Sequence, residues 1–253
     1  MQLGPIEIGQ GQVKVIVPLV GRTRDEIIEA AKDAAVAPCQ AVEWRVDYFE
    51  EAYATGTVLG LLDELRAMLE QKALIFTWRT KQEGGQQIIS GEDYYTLLEK
   101  VVRSGQVDAV DVEFAYYPDK RAALIEASKA SGVRLLMSQH DFSRTPNADR
   151  IASQLLAMQE AGAHIAKFAC MPHNAGDVLA LLSATYQVKK QYPKRPLITM
   201  AMGELGIISR LGGYVFGSDM TFASLGSASA PGQVNAYQMR DALLMLNRDN
   251  RND

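Results

Sequence analysis

A chain of 253 residues, 47% hydrophobic and 22% charged, is long enough to bury one large core, and α/β barrels of this length are commonly one domain, so a single domain over 1–253 is expected. A net charge of −4 and a pI near 5.5 exclude a protein built mainly to grip nucleic acid or an anionic membrane, because neutralising phosphates takes a surplus of Lys and Arg. Residues 1–10 lack the basic start and apolar run of a signal peptide, and no stretch of about 18 apolar residues occurs, which predicts a cytoplasmic protein with a small-molecule partner.

Residues 1–12 stand outside the pattern that follows. Ile6 to Ile8, then Gly9-Gln10-Gly11-Gln12, predict a short strand and a turn covering the floor of the structure. From there, short β-branched and apolar runs alternate with longer amphipathic segments. The predicted strands are Val13–Val20, Ala41–Asp47, Leu74–Thr80, Ala109–Phe114, Arg134–Gln139, Ile165–Ala169, Leu197–Met202 and Tyr214–Gly217. Intervening segments carry helical spacing, as in Glu26, Ile27, Ala30, Ala31 and Ala34. Strand then helix, repeated eight times, predicts an α/β protein closed as a (β/α)8 TIM barrel. An open doubly wound sheet would carry G-x-G-x-x-G after its first strand, and Val20-Gly21-Arg22-Thr23 has no such pattern. Cys39 starts one strand and Cys170 finishes another. A six-residue strand is roughly 20 Å long and a disulfide needs Cα atoms within about 7 Å, so both are expected as free thiols.

A charge inside a strand buried on both faces is costly, and residues i and i+2 point to the same side. The charged strand positions therefore need a reason. In Glu43-Trp44-Arg45 the two charged residues point inward while Trp44 faces the helices. Phe76-Thr77-Trp78-Arg79-Thr80 leads into Lys81-Gln82-Glu83-Gly84-Gly85, the fourth strand holds Asp111 and Glu113, and the fifth runs out through Ser138-Gln139-His140-Asp141-Phe142. All lie toward the C-terminal ends of their strands, where barrel enzymes assemble their sites. Any one of them, such as Glu43 with Arg45 or Arg79 with Glu113, is explicable as a structural ion pair; their collection at one end is not.

Lys167, between outward-facing Ala166 and Phe168, has no short route to water. Its competing reading is a lysine that snorkels to the barrel mouth. Nearby cations and loss of water would favour a neutral amine able to attack a carbonyl. Of the three histidines, His140 ends a strand, His164 begins one and His173 follows Met171-Pro172 in a loop, so His140 is the candidate base and Glu83 the residue that orients it and stabilises its cation. Ser209-Arg210 closes a Gly-rich connection, and Ser227 to Gln233, within a lid loop drawn over 225–233, has the small residues of a mobile segment.

Together these segments resemble the type I 3-dehydroquinate dehydratases. The resemblance rests on Glu43-Trp44-Arg45-x-Asp47, Thr77-x-Arg79-Thr80-x-x-Glu83-Gly84-Gly85, Ser138-x-His140-Asp141-Phe142, Lys167, Met202-Gly203-x-x-Gly206-x-x-Ser209-Arg210 and Ser229-Ala230-Pro231-Gly232-Gln233, in order from about Val13 to Leu246. It implies a hydro-lyase that converts 3-dehydroquinate to 3-dehydroshikimate on the route to aromatic amino acids. Lys167 would form a Schiff base with the ring ketone, and His140 would remove the C2 proton and return one to the departing C1 hydroxyl. Glu83 would hydrogen-bond His140, Arg210 would bind the substrate carboxylate, Ser229 and Gln233 would close over it, and Glu43, Arg45 and Arg79 would address the ring hydroxyls. The resemblance implies no metal or organic cofactor, since the lysine supplies the electrophile, and it implies a homodimer. Without it, a strand lysine would equally suit a class I aldolase, for which Gly212-Gly213 is the sole phosphate-site candidate. A non-catalytic ligand-binding barrel would keep Arg210 but have little need of Lys167 and His140 together.

Overall fold

A hairpin of β1 (Gln2–Leu3) and β2 (Ile6–Glu7) precedes a strict alternation of parallel strands and helices in the computed structural model, which describes residues 1–226 and 229–246. The elements are β3 (Lys14–Leu19), α1 (Arg24–Val36), β4 (Ala41–Arg45), α2 (Thr55–Met68), β5 (Ala73–Thr77), α3 (Gly91–Ser104), β6 (Ala109–Glu113), α4 (Arg121–Ser131), β7 (Arg134–Asp141), α5 (Ala148–Glu160), β8 (Ile165–Cys170), α6 (Ala175–Gln191), β9 (Leu197–Ala201), α7 (Ile207–Gly212), β10 (Met220–Ser224), β11 (Val234–Asn235) and α8 (Ala236–Leu246). The ladder runs β10-β3-β4-β5-β6-β7-β8-β9, with β11 parallel to the far end of β10. Asp219 closes the circle: its N–H donates to the Leu197 carbonyl at 2.8 Å, and its carboxylate accepts the Leu197 N–H at 2.7 Å. The sheet is thus a (β/α)8 barrel.

Because side chains alternate across each strand, the barrel sorts the sequence into two cores. Outward residues such as Val42, Trp44, Phe76, Val110, Val112, Leu135, Met137, Ala166 and Phe168 pack under the helices. Each large one contributes about 1.5–3 kcal/mol on leaving water. Inward residues Ile16, Ala41, Ile75, Ala109, Leu136, Ile165, Ile198 and Met220 form a second cluster low in the barrel, and Leu3 and Ile8 of the N-terminal segment, both fully buried, join it from below. The floor is therefore apolar and plugged, as the short N-terminal strand and turn suggest, and polar residues fill only the upper layers.

Several helix starts at the barrel mouth carry side-chain caps. Ser90, Asn147 and Asn174 accept N–H bonds from Asp93, Arg150 and Asp177, which satisfies otherwise orphaned first-turn donors. Both cysteines are buried and free. No helix among the described residues is long and apolar enough to cross a membrane.

The eighth strand departs from the sequence reading. Tyr214–Gly217 is not a strand; Gly213–Phe216 is a 3-10 helix ended by Gly217 at φ 107°, and β10 begins at Met220. The aromatic and β-branched run imitates a strand, yet Val215 is 67% exposed, and it decorates the outside of the barrel. Ser209 and Arg210, at the end of the Gly-rich connection, sit in a six-residue helix, α7. Gly213 is buried against Ser218, so Gly212-Gly213 forms no open phosphate cradle.

Candidate active site

The inward residues of successive strands step upward into one cavity at the C-terminal mouth. Its wall includes Glu43 and Arg45 from β4, Arg79 and Glu83 after β5, His140 from β7, Lys167 from β8, Arg210 from α7, and Ser229 and Gln233 after β10. Every site residue named from the sequence is thus brought together. β7 extends two residues beyond the predicted end, so His140 lies within the strand, two positions above Ser138, the register partner of Lys167. The pleat therefore sends His140 and Lys167 to the same side.

Carboxylates, rather than cations, make the contacts to the Lys167 amine. Its Nζ lies 3.2 Å from Asp111 and 3.5 Å from Glu43, and 4.4 Å from the centroid of the Phe222 ring. The guanidinium groups nearby are themselves tied to carboxylates. Arg45 grips Asp47 through Nε and Nη2 at 2.7 and 2.8 Å. Arg79 donates to Glu113 and Ser138 through Nη1, each at 3.0 Å, and to Asp111 through Nη2 at 2.7 Å. Glu113 in turn accepts the Thr80 N–H and hydroxyl, which fixes the chain where it leaves β5. Asp47 accepts the N–H groups of Arg79 and Gln86, clamping the same loop from the other side.

Arg210 differs from the other cations. It is 2% exposed, it has no carboxylate within salt-bridge range among the described residues, and its Nε has no partner. Its Nη2 donates to the Pro231 carbonyl at 3.1 Å and its Nη1 contacts the Met200 sulfur at 3.6 Å. Burial lowers its pKa to about 10. A buried guanidinium without a counter-ion is costly, and it is offset when a planar anion such as a carboxylate arrives.

Glu83 Oε2 lies 2.9 Å from His140 Nδ1 and also accepts the His140 N–H at 3.0 Å, so one carboxyl fixes both the ring and its backbone. The direction of charging is opposite to that read from the sequence. Burial first, then Arg79, Lys167 and Arg45, hold the imidazole well below its usual range. Burial and the Glu113 charge raise the Glu83 carboxyl to about 8. Both shifts favour a neutral imidazole.

The segment after β10 folds over this cavity. The Ser229 N–H donates to the Gln233 side-chain oxygen at 2.9 Å, and Gln233 Nε2 donates to the Ser229 hydroxyl at 3.0 Å. Pro231 accepts the Gly203 N–H at 3.2 Å, and Gly232, at φ 77°, sits so close to Gly203 that a Cβ would lie 2.3 Å from its carbonyl oxygen. Ser227 and Ala228 of the predicted loop lie outside the described residues, as does 247–253. Met200 and Phe222 also line the cavity and escape the sequence reading, and so do Phe142 and Met202, which that reading quotes within motifs but gives no role. Phe222 is lost with the misplaced eighth strand, whereas alternation from Ile198 would have turned Met200 and Met202 inward.

The model of the family "Type I 3-dehydroquinase" matches residues 15–250. A 3-dehydroquinate dehydratase of Bacillus subtilis is 42% identical over 97% of this chain and 96% of its own length. One from Syntrophotalea carbinolica is 44% identical over 95% of each. Among solved structures, a type I 3-dehydroquinate dehydratase of Clostridium difficile, described as carrying covalent modified comenic acid, superposes with a TM-score of 0.94 at 39% identity, covering 98% of both chains. The carboxyl transferase domain of Rhizobium etli pyruvate carboxylase, at 14% identity and a TM-score of 0.71 over 96% of this chain, shares the fold alone.

Proposed function

This chain belongs to the type I 3-dehydroquinase family, and from that premise we propose that it dehydrates 3-dehydroquinate through an imine on Lys167. The reaction is the hydro-lyase step to 3-dehydroshikimate in the shikimate pathway, toward the aromatic amino acids. The observation that carries the mechanism is the pairing, in one cavity, of a strand-borne amine with a neutral imidazole, opposite a buried guanidinium that lacks a counter-ion among the described residues.

Arg210 binds the substrate carboxylate, which orients the ring with its ketone toward Lys167. Amine attack and loss of water give a protonated imine, a stronger electron sink than the ketone. The Nε2 of His140, with Nδ1–H directed at Glu83, then takes the C2 proton and delivers it to the leaving C1 hydroxyl. Glu43 and Arg45 address ring hydroxyls. Arg79, with both terminal nitrogens already bound to protein oxygens, contributes more to shaping the wall than to contacting substrate. The covalent ligand described for the Clostridium difficile relative supports a site that bonds to its ligand. Adding 3-dehydroquinate and following the ultraviolet absorbance of the conjugated product tests the activity. No absorbance change would exclude it, and carbon–carbon cleavage would point to an aldolase.

The same reading covers the lid and the charging of the base. Gln233 exchanges its clasp with Ser229 for hydrogen bonds to substrate, and a neutral hydrogen bond contributes about 1 kcal/mol, so Gln233→Ala should weaken binding about fivefold and leave imine formation intact. Unchanged affinity by titration would remove the lid role. For Glu83→Gln, the working form of the pair is the one that has lost its shared proton, which burial of the carboxyl retains up to about pH 8. With glutamine only the imidazole titrates, and its surroundings hold it below its usual range. The acidic limb of kcat/KM should therefore move to lower pH while turnover falls. A limb that stays in place would assign Glu83 to another task.

The unit over 1–253 acts as one domain, in the cytoplasm, on a small molecule, with no nucleic-acid role, and as a homodimer. An exposed apolar face of Leu179, Tyr186, Val215 and Phe216 on the barrel's outer side supports self-association.

A further inference from the structure

We propose that Asp111 is the counter-ion of the Lys167 nitrogen throughout the reaction, and that its charge keeps the imine protonated. This rests on the imine reading above. Asp111 is fully buried and is not part of the cavity wall, so its route to the chemistry is Lys167 itself. Its Oδ1 accepts the Ser138 hydroxyl at 2.6 Å, and its Oδ2 accepts Arg79 Nη2 at 2.7 Å and Lys167 Nζ at 3.2 Å. The carboxylate is held from two sides and presents one oxygen to the reacting nitrogen.

The charge and proton balance gives this placement its consequence. Ketone and ammonium yield iminium and water; the positive charge is conserved, but three N–H donors become one. Two carboxylates within salt-bridge range share the ammonium, and only one can hold the single iminium proton. Glu43 is farther, accepts the Thr77 hydroxyl at 2.9 Å, and faces the cavity where substrate and water compete for it. Asp111 is nearer and dry, and an ion pair strengthens as water is excluded. The other charged groups around the nitrogen are Arg45 on β4, Arg79 and Glu83 after β5, Glu113 on β6, His140 on β7 and Arg210 on α7, with the Phe222 ring of β10 at 4.4 Å. Arg79 on the same oxygen tempers the carboxylate, which matters because the iminium must give up its charge to form the enamine and regain it as the C1 hydroxyl, protonated by His140, leaves as water. Although burial would raise the Asp111 carboxyl, Arg79, Lys167 and Ser138 outweigh it and hold it below its usual range.

The test is the alkaline limb, read both in kcat and in the pH dependence of cyanoborohydride trapping, which captures only the protonated imine. Removing an opposite charge at this range should lower the imine's proton affinity, so Asp111→Asn should move the limb down by about one to three pH units. Ser138→Ala removes a donor from the carboxylate, strengthens its hold on the proton, and should move the limb slightly upward. Glu113→Gln removes a charge that does not touch Lys167 and should move the limb by less than Asp111→Asn does. A limb unmoved in Asp111→Asn, or moved as far by Glu113→Gln, overturns the proposal; if Asp111→Asn does not fold, an unmoved or lowered limb in Ser138→Ala does so. Failure to trap any adduct on Lys167 in the parent enzyme would instead overturn the imine reading on which this stands.

Discussion

Lys167→Ala is expected to yield no covalent adduct and to lose turnover by several orders of magnitude. The side chain is 5% exposed and held by Asp111 and Glu43 at the wall of the cavity. Removing it would delete the proposed electron sink and take a cation from beside Glu43 and Asp111, the latter still paired with Arg79. The first loss acts on the barrier, because proton removal beside an unactivated ketone is far harder than beside a protonated imine, and every 1.36 kcal/mol is a factor of ten in rate. The second acts on stability, since breaking a buried ion pair costs about 3–5 kcal/mol where one partner is left charged. The two are separable by measurement. Treating the parent with 3-dehydroquinate and borohydride should add the reduced ligand's mass to the peptide containing Lys167, and Lys167→Ala, verified as folded by circular dichroism, should gain nothing. Label on another lysine, or full turnover by the folded variant, would refute the mechanism.

How far this site is legible in the sequence depends on which physical rule places each residue. The strand pleat is strict, so Glu43, Arg45 and Lys167 could be set inward from alternation alone, and they line the cavity. The pleat fails only where the strand itself is misplaced. Tyr214-Val215-Phe216 has the composition of a strand, but its glycine neighbours permit a tight 3-10 turn, and the true strand six residues later begins with the less suggestive Met220-Thr221. That shift hides Phe222, whose ring lies against the Lys167 amine. Asp111 is visible as a buried charge on a strand, but its bond to Lys167 arises from barrel closure, which brings β6 and β8 to one axis although they are not paired in the sheet.

Two other properties have no local signature. Arg210 looks like any arginine in a Gly-rich segment; what distinguishes it is the absence of an acidic neighbour among the described residues, a fact about the whole fold. Glu83 and His140 are predictable as a pair, yet the sign of their charging is not, because desolvation and three surrounding cations decide it. Charge proximity alone suggests a cationic imidazole. Burial favours a neutral one, and a neutral imidazole is what the proposed proton removal from C2 requires.

That neutrality leads to the second large effect. His140→Ala should still form the imine, because amine attack does not strictly need the imidazole, but should stall at the proton transfers that follow. A positioned general base contributes about 10²- to 10⁴-fold, and in the proposed mechanism the same ring serves C2 deprotonation and protonation of the leaving hydroxyl, so a loss toward the upper end is expected. The variant should therefore accumulate substrate-derived adduct on Lys167, trappable by borohydride in higher yield than in the parent at steady state. Packing loss should be modest, since the ring is held chiefly by its Glu83 bond and faces the cavity. Glu83, freed of its ring partner, still accepts the backbone N–H at position 140, so the loop after β5 should stay in place. A variant that turns over at the parent rate would remove His140 from the proton transfers. One that forms no adduct, while remaining folded, would place His140 earlier, in imine formation itself.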